Sequence, residues 1–303
     1  MNHTAAGKER RRALFCFFLL TVIFFLLIYH GNTLSDAAAS SLSFAAKRLV
    51  PSMFLFAVFA KIATRIPFFS SSRKIPLLHL PLSALPALLI GLFTGFPMGA
   101  YAAKNGFDEG ILSEKEAHHL AAYANNASLG FLLFTVGALF SDQRVGLWLF
   151  LSGTLSSFFV GILFAVREKP SARLQNTPPP PPFFSLFCDA VVSASQAMLV
   201  LSGYLTLFGV LAKALTMTPL PRALVSVLLL VLEPTAAITH LATLPREIAL
   251  PLSAFALGFS VFSIIAQSVT VWQNRLPLLP LVAKRTLIGL LSALFMLIFQ
   301  KYL

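Results

Sequence analysis

Long apolar runs follow one another through this chain, and two of them are broken at their centres by residues that a membrane helix cannot carry without consequence. The first reads Gly91-Leu92-Phe93-Thr94-Gly95-Phe96-Pro97-Met98-Gly99 and the second Leu229-Leu230-Val231-Leu232-Glu233-Pro234-Thr235-Ala236. Roughly thirty residues after each lies another apolar span with polar residues at its middle: Asn125-Asn126-Ala127-Ser128, then Ser260, Ser263 and Gln267. Only 11% of the 303 residues are charged and 57% are hydrophobic, against about 25% charged in a soluble domain. Runs of about 20 apolar residues cross a bilayer as helices, since every backbone polar group must find a partner inside its own segment. A membrane β-barrel needs alternating strands, which the sequence lacks. The expectation is an all-α, polytopic membrane protein.

The net charge of +12 would suggest nucleic acid in a soluble protein. Here most basic residues sit in short loops beside apolar runs, where they orient spans, and no basic stripe interleaved with aromatics appears, so nucleic acid is not an expected partner. Cys16 and Cys188 lie in or beside apolar segments without a motif, which implies neither a disulfide framework nor a metal site.

The N-terminus, Lys8-Glu9-Arg10-Arg11-Arg12 followed by an apolar run from Ala13 to Tyr29, reads as a retained first helix with a cytoplasmic N-terminus. The run is long for a signal peptide, although Asp36-Ala37-Ala38-Ala39-Ser40 keeps cleavage open. Residues 36–49 form an amphipathic lead-in to a span at 50–64. A broken segment occupies 77–103, a polar helical stretch 104–118, and spans 119–140 and 147–166. Residues 167–183 are a basic, Pro-rich linker whose prolines favour an extended form. The second half then runs through a lead-in at 184–198, a span at 199–215, a broken segment at 225–247, and spans at 249–271 and 283–300. Phe56-Ala57-Val58-Phe59-Ala60-Lys61 aligns with Phe208-Gly209-Val210-Leu211-Ala212-Lys213, Pro97 with Pro234, and Ser128 with Ser260. The organisation is therefore an N-terminal helix (1–30), one repeat (36–166), the linker (167–183) and a second repeat (184–303). If both broken segments are re-entrant hairpins, most of the 23 basic residues, Lys284 and Arg285 among them, fall on the cytoplasmic side; full crossings divide them more evenly. Hairpins also make the two repeats inverted, as in many secondary transporters.

Paired interruptions in the two halves of a membrane chain point to a binding site. Glu233 is the carboxylate set deepest in an apolar run, at a cost of roughly 2.5–3.5 kcal/mol on insertion scales. With Thr235 it is assigned to a coupling cation (sodium or a proton) or to the site itself. The competing reading is a Glu at a helix end paired with Arg222. Thr94, Gly95 and Gly99 allow a tight reversal, and amides freed at the next half-helix suit an anion; membrane glycines also serve close packing alone. Asn125, Asn126 and Ser128 indicate a polar cavity or a broken helix, because two adjacent amides cannot share one helix face. Ser263 and Gln267, four apart, share a face and either bind substrate or hold a neighbouring helix. His118-His119, after Glu114 and Glu116, reads as part of a solvated segment rather than a metal site, and His240 is a candidate proton relay. No cofactor, catalytic triad or phosphate-binding loop is indicated, which argues against an enzyme.

On these residues the chain resembles the YlbJ family of sporulation integral membrane proteins, within the wider Gate, or nucleoside-recognition, membrane domains related to concentrative nucleoside transporters. The stretches that carry the resemblance are Val50-Pro51-Ser52-Met53-Phe54, Gly95-Phe96-Pro97-Met98-Gly99-Ala100, Gly110-Ile111-Leu112-Ser113 with Glu116, Asn125-Asn126-Ala127-Ser128, Gly203-Tyr204 with Phe208, Leu232-Glu233, and Gly258-Phe259-Ser260-Val261-Phe262-Ser263 with Gln267. Ser260-Val261 stand where the family has a glycine pair, and Leu129 where it has proline. The resemblance implies a multi-pass cell-membrane transporter of a small organic anion, with dipicolinate in spore formation as the expected cargo. Alternative readings are transport of a nucleoside or other small metabolite, and a membrane scaffold for spore-envelope assembly. A homo-oligomer stays open.

Overall fold

The computed structural model describes residues 14, 17, 18, 21, 22, 24, 25, 28–65, 74–166 and 182–303. The first-helix reading, Cys16 and the linker at 167–183 fall wholly or largely outside these residues. The described chain is helical, apart from turns and one isolated backbone bridge between Lys74 and Pro81.

Helix α1 (Gly31–Phe44) passes through a π-helical turn (Ala45–Leu49) into α2 (Val50–Arg65), and the pair is bent by 54°. Helices α3 (Leu85–Phe93) and α4 (Met98–Asp108) are the arms of the first broken segment. Helix α5 (Glu114–Tyr123) starts with a capping box: the Ser113 hydroxyl accepts from the Glu116 N–H, and the Glu116 carboxylate accepts from the Ser113 N–H. After a non-helical stretch at 124–128, the chain resumes as a second π-helical turn (Phe131–Val136) and α6 (Gly137–Leu139), then α7 (Gln143–Leu163). Helix α8 (Phe183–Thr216) runs unbroken for 34 residues, so the expected lead-in at 184–198 and span at 199–215 are one element. Helices α9 (Arg222–Leu232) and α10 (Pro234–Leu241) form the second broken segment. Helices α11 (Arg246–Phe259) and α12 (Phe262–Val271) form a broken span, and α13 (Leu278–Phe299) ends the bundle. Among the described residues four helices are long and apolar enough to cross a membrane, or five if the bent α1–α2 pair counts as one.

The two kinds of interruption differ in geometry. At the first broken segment the chain turns back on itself. A Cβ built on Gly91 would lie 1.9 Å from the Ala124 carbonyl oxygen, and one on Gly99 would lie 1.8 Å from the same atom. A straight helix would separate two residues eight apart by about 12 Å. Gly95 makes the reversal possible with φ +97°, a conformation closed to residues with a side chain, and the Phe96–Pro97 peptide is cis. The Thr94 hydroxyl donates to the Ile90 carbonyl (2.7 Å), which also accepts from the Thr94 N–H (2.9 Å), so Thr94 folds back on the last turn of α3.

The second segment reverses too. His240 on α10 lies 2.7 Å from the Ser226 hydroxyl on α9, fourteen residues earlier. Proline explains the break. Pro234 has no N–H to continue the ladder of α9 and drives its predecessor out of the helical region. Glu233 accordingly sits at φ −148°, ψ 125°, with Pro234 at the first position of α10, where proline is tolerated.

The break at 124–128 separates α5 from the second π-helical turn, and that at Ser260-Val261 interrupts a span. Ser260 adopts a left-handed conformation (φ 57°), and Arg246–Val271 remains long enough to cross as a whole.

Two antiparallel pairings organise the bundle. Along α8, residue numbers fall as they rise along α1–α2. Ser41 meets Gly209, Met53 shares a cleft with Leu201 and Leu205, and Lys61 shares a smaller cavity with Ser193 and Ala197. Helices α7 and α13 pair in the same sense: the Trp148 and Phe299 rings are 4.9 Å apart at one end, and Lys284 lies over the Phe164 ring at the other. Helix α11 packs closely along α13, where Gly258 and Gly289 remove the side chains that would hold them apart.

Candidate functional site

Both reversals and both breaks border one cleft. Its cavity volume is about 50 Å³, room for a few water molecules. Gly95 and Phe96 come from the first tip, Glu233, Pro234 and Thr235 from the second, Ser128 and Phe131 from the α5 break and its π turn, and Ser263, Ile264 and Gln267 from α12. Leu49, Met53, Leu201 and Leu205 close the apolar side.

Glu233 is 2% exposed. Its Oε2 accepts from the Ala236 N–H at 2.6 Å and caps α10, the Thr235 N–H and hydroxyl lie beside the carboxylate, and Oε1 makes no hydrogen bond of ordinary geometry. The Gln267 Oε1 is likewise buried without a partner. Unpaired buried acceptors are costly, so the cleft presents two oxygens suited to a donor or a cation. No Lys, Arg or His is among its lining residues. Arg222, a potential partner of Glu233 in the sequence, lies exposed at the far end of α9.

Of the residues singled out in the sequence, Gly95, Ser128, Glu233, Thr235, Ser263 and Gln267 line the cleft, and Thr94, Gly99, Asn125 and Asn126 do not. Thr94 closes α3, and Gly99 packs on the Ala124 carbonyl. Asn125 donates to the Ser268 hydroxyl at 3.0 Å. The Asn126 N–H donates to the Gly91 carbonyl (3.2 Å), and its Oδ1 accepts from Ser157 (2.9 Å). The two amides thus face different neighbours, and they join the α5 break to α12, α3 and α7.

Two readings of the polar residues need correction. Arg285 lies deeper in the last helix than a span beginning at 283 implies. Pro277 starts α13 at Leu278, so Arg285 lies about two turns inside it and is 1% exposed. Its Nη1 donates to the Ala122 carbonyl (3.2 Å) and Asn126 Oδ1 (3.4 Å), and its Nη2 to the Leu257 carbonyl (3.4 Å) and the Ser260 hydroxyl. The sequence carried a signal, since Pro277 is a helix-start residue; beginning the span at 283 placed the two bases at its edge. Nor is the His118-His119 segment solvated. His119 is buried, with Nε2 3.0 Å from the Gly161 carbonyl and Nδ1 3.0 Å from Lys284 Nζ. A carbonyl only accepts and an ammonium only donates, so the imidazole is neutral with its proton on Nε2.

The chain is 25% identical, over an alignment of 264 residues, to the sporulation integral membrane protein YlbJ of Bacillus subtilis (strain 168). The match covers 71% of this chain and 63% of that protein, so less than two thirds of the relative's length is represented. No family model and no solved structure matches. With an integral membrane relative and, among the described residues, four or five apolar helices of spanning length, the chain is a multi-pass membrane protein similar to a sporulation protein.

Proposed function

We propose that this protein is a secondary transporter of two inverted repeats that moves a small metabolite through the cleft, with Glu233 as the seat of the coupling cation. One observation carries the reading: two chain reversals and two broken spans converge on a cleft that holds a buried, half-satisfied carboxylate. The recurring order of elements supports the repeats. Each half has a long or bent span, a helical hairpin, a broken span and a closing span. Under that correspondence α1–α2 is the counterpart of α8, and α7 of α13. Both pairs pack antiparallel, the relation that inversion requires.

The chemistry of the cleft bears on the cargo. An organic anion such as dipicolinate meets an acid and no lining base, so it would travel with the cation that neutralises Glu233. A nucleoside or another neutral metabolite is the second reading, favoured by the two unpaired acceptors, which suit N–H or O–H donors.

The test is uptake into vesicles containing the purified full chain, with labelled dipicolinate and a labelled nucleoside, each under a sodium or a proton gradient. Accumulation that needs one gradient is expected, and Glu233→Gln should abolish that dependence. Unchanged, gradient-driven uptake by a folded Glu233→Gln variant would refute the assignment. If neither cargo moves, the scaffold role gains ground.

A further inference from the structure

Arg285 carries a charge that the cleft does not use and that no carboxylate among its hydrogen-bond partners balances. Its acceptors explain how it is tolerated. Ala122 and Leu257 lie in the last turns of α5 and α11, whose carbonyl ends exist because each span breaks just beyond them. Helix C-termini carry about half a negative charge each, so two of them face one guanidinium. The remaining acceptors, Asn126 Oδ1 and Ser260 Oγ, belong to the two breaks.

The connection to the cleft is short. Ser128 follows Asn126 by two residues and Ser263 follows Ser260 by three, and both serines line the cleft. The two amino groups of the planar guanidinium reach separate acceptor pairs, which a lysine ammonium at the same place cannot do. We infer that Arg285 is a positioning residue shared by the two cleft walls: one side chain clamps the breaks of α5 and α11 together and so fixes Ser128 relative to Ser263. The two breaks then behave as one rigid unit with α13, and any opening of the cleft is left to the hairpin tips and to the α1–α2 and α8 side.

Amide hydrogen exchange of the full chain in detergent tests this without a cargo, so its outcome is separate from that of the transport reading. In Arg285→Met, exchange should rise about tenfold or more at both 124–128 and 260–262, above any change elsewhere. Ser260→Ala should loosen the second break only. Met296→Ala, a core truncation on the same helix away from both breaks, sets the pattern of general destabilisation. The inference is overturned if Arg285→Met loosens one break or neither, or reproduces the Met296→Ala pattern. Should Arg285→Met not fold, Arg285→Lys replaces it: loosening at one or both breaks supports the clamp, and wild-type exchange at both refutes it.

Discussion

Alanine at Gly91 or Gly99 tests whether the first hairpin is held by close packing on one carbonyl. The new Cβ would fall 1.9 Å from the Ala124 oxygen in Gly91→Ala and 1.8 Å in Gly99→Ala. An ordinary contact begins near 3.4 Å, so the carbonyl or the hairpin must move by about 1.5 Å, and both are backbone. Overpacking of this kind costs about 1–3 kcal/mol. In Gly91→Ala the shift also strains the Asn126 N–H bond to the Gly91 carbonyl (3.2 Å), which adds about 1 kcal/mol. For a chain of 303 residues, a loss of roughly 2–4 kcal/mol corresponds to a melting shift of about 3–6 °C, measurable by the helical circular dichroism of the detergent-purified protein. Because both substitutions push the same atom, the double variant should lose less than the sum of the singles. Gly153 on α7 has nothing within 4 Å of its Cβ position, so Gly153→Ala should be neutral or stabilising by up to about 1 kcal/mol. A Gly91→Ala protein that melts with the wild type, or that gains stability as Gly153→Ala does, would show that the packing argument is wrong.

Glu233→Gln should keep the cap of α10 through its amide oxygen and melt near or above the wild type, whereas Glu233→Ala should lose about 1 kcal/mol; equal melting of the two variants would exclude the capping role. Arg144 bonds Asp142 at 3.0 and 3.1 Å and holds its carboxyl below the usual carboxylate range. That contribution is present above the ordinary carboxylate pKa and is lost as pH falls through the lower folded value. Asp142→Asn should therefore melt below the wild type at neutral pH and converge with it in acid, and a constant gap across pH would refute the linkage. Cysteines placed at Lys74 and Lys104, which flank the first hairpin, should react with an impermeant reagent from the same side of the membrane; opposite sides would exclude a re-entrant first hairpin.

The helical membrane architecture was legible because hydropathy and proline position act locally. Pro234 and Gly95 announce their breaks in the sequence, and the same physics places Glu233 in extended backbone. Ser263 and Gln267, four apart, reach the cleft together as their spacing requires. The division of labour among the polar residues was not legible. Asn125 and Asn126 are as polar as the cleft serines, and only the packing of α3, α7, α12 and α13 around them shows that they tie helices instead. Arg285 escaped because a base near the end of an apolar run satisfies the positive-inside pattern as readily as a loop base does; its true depth follows from where α13 begins. The continuity of α8 could not be read either, since nothing in 184–216 distinguishes a straight helix from a bend such as α1–α2 makes at Ala45–Leu49.

Those two π-helical turns place a demand on the mechanics of the bundle. Leu49 ends one and Phe131 begins the other, and both side chains face the cleft. Two hairpin tips, two span breaks and two widened turns therefore surround a single volume, while α7, α8 and α13 stay regular along the outside. Departures from ideal helix geometry weaken the local hydrogen-bond ladder. Compliance is thus gathered at the hairpin tips and the two π-helical turns, while the span breaks are tied through Arg285 to α13. Such a body yields first beside its cleft.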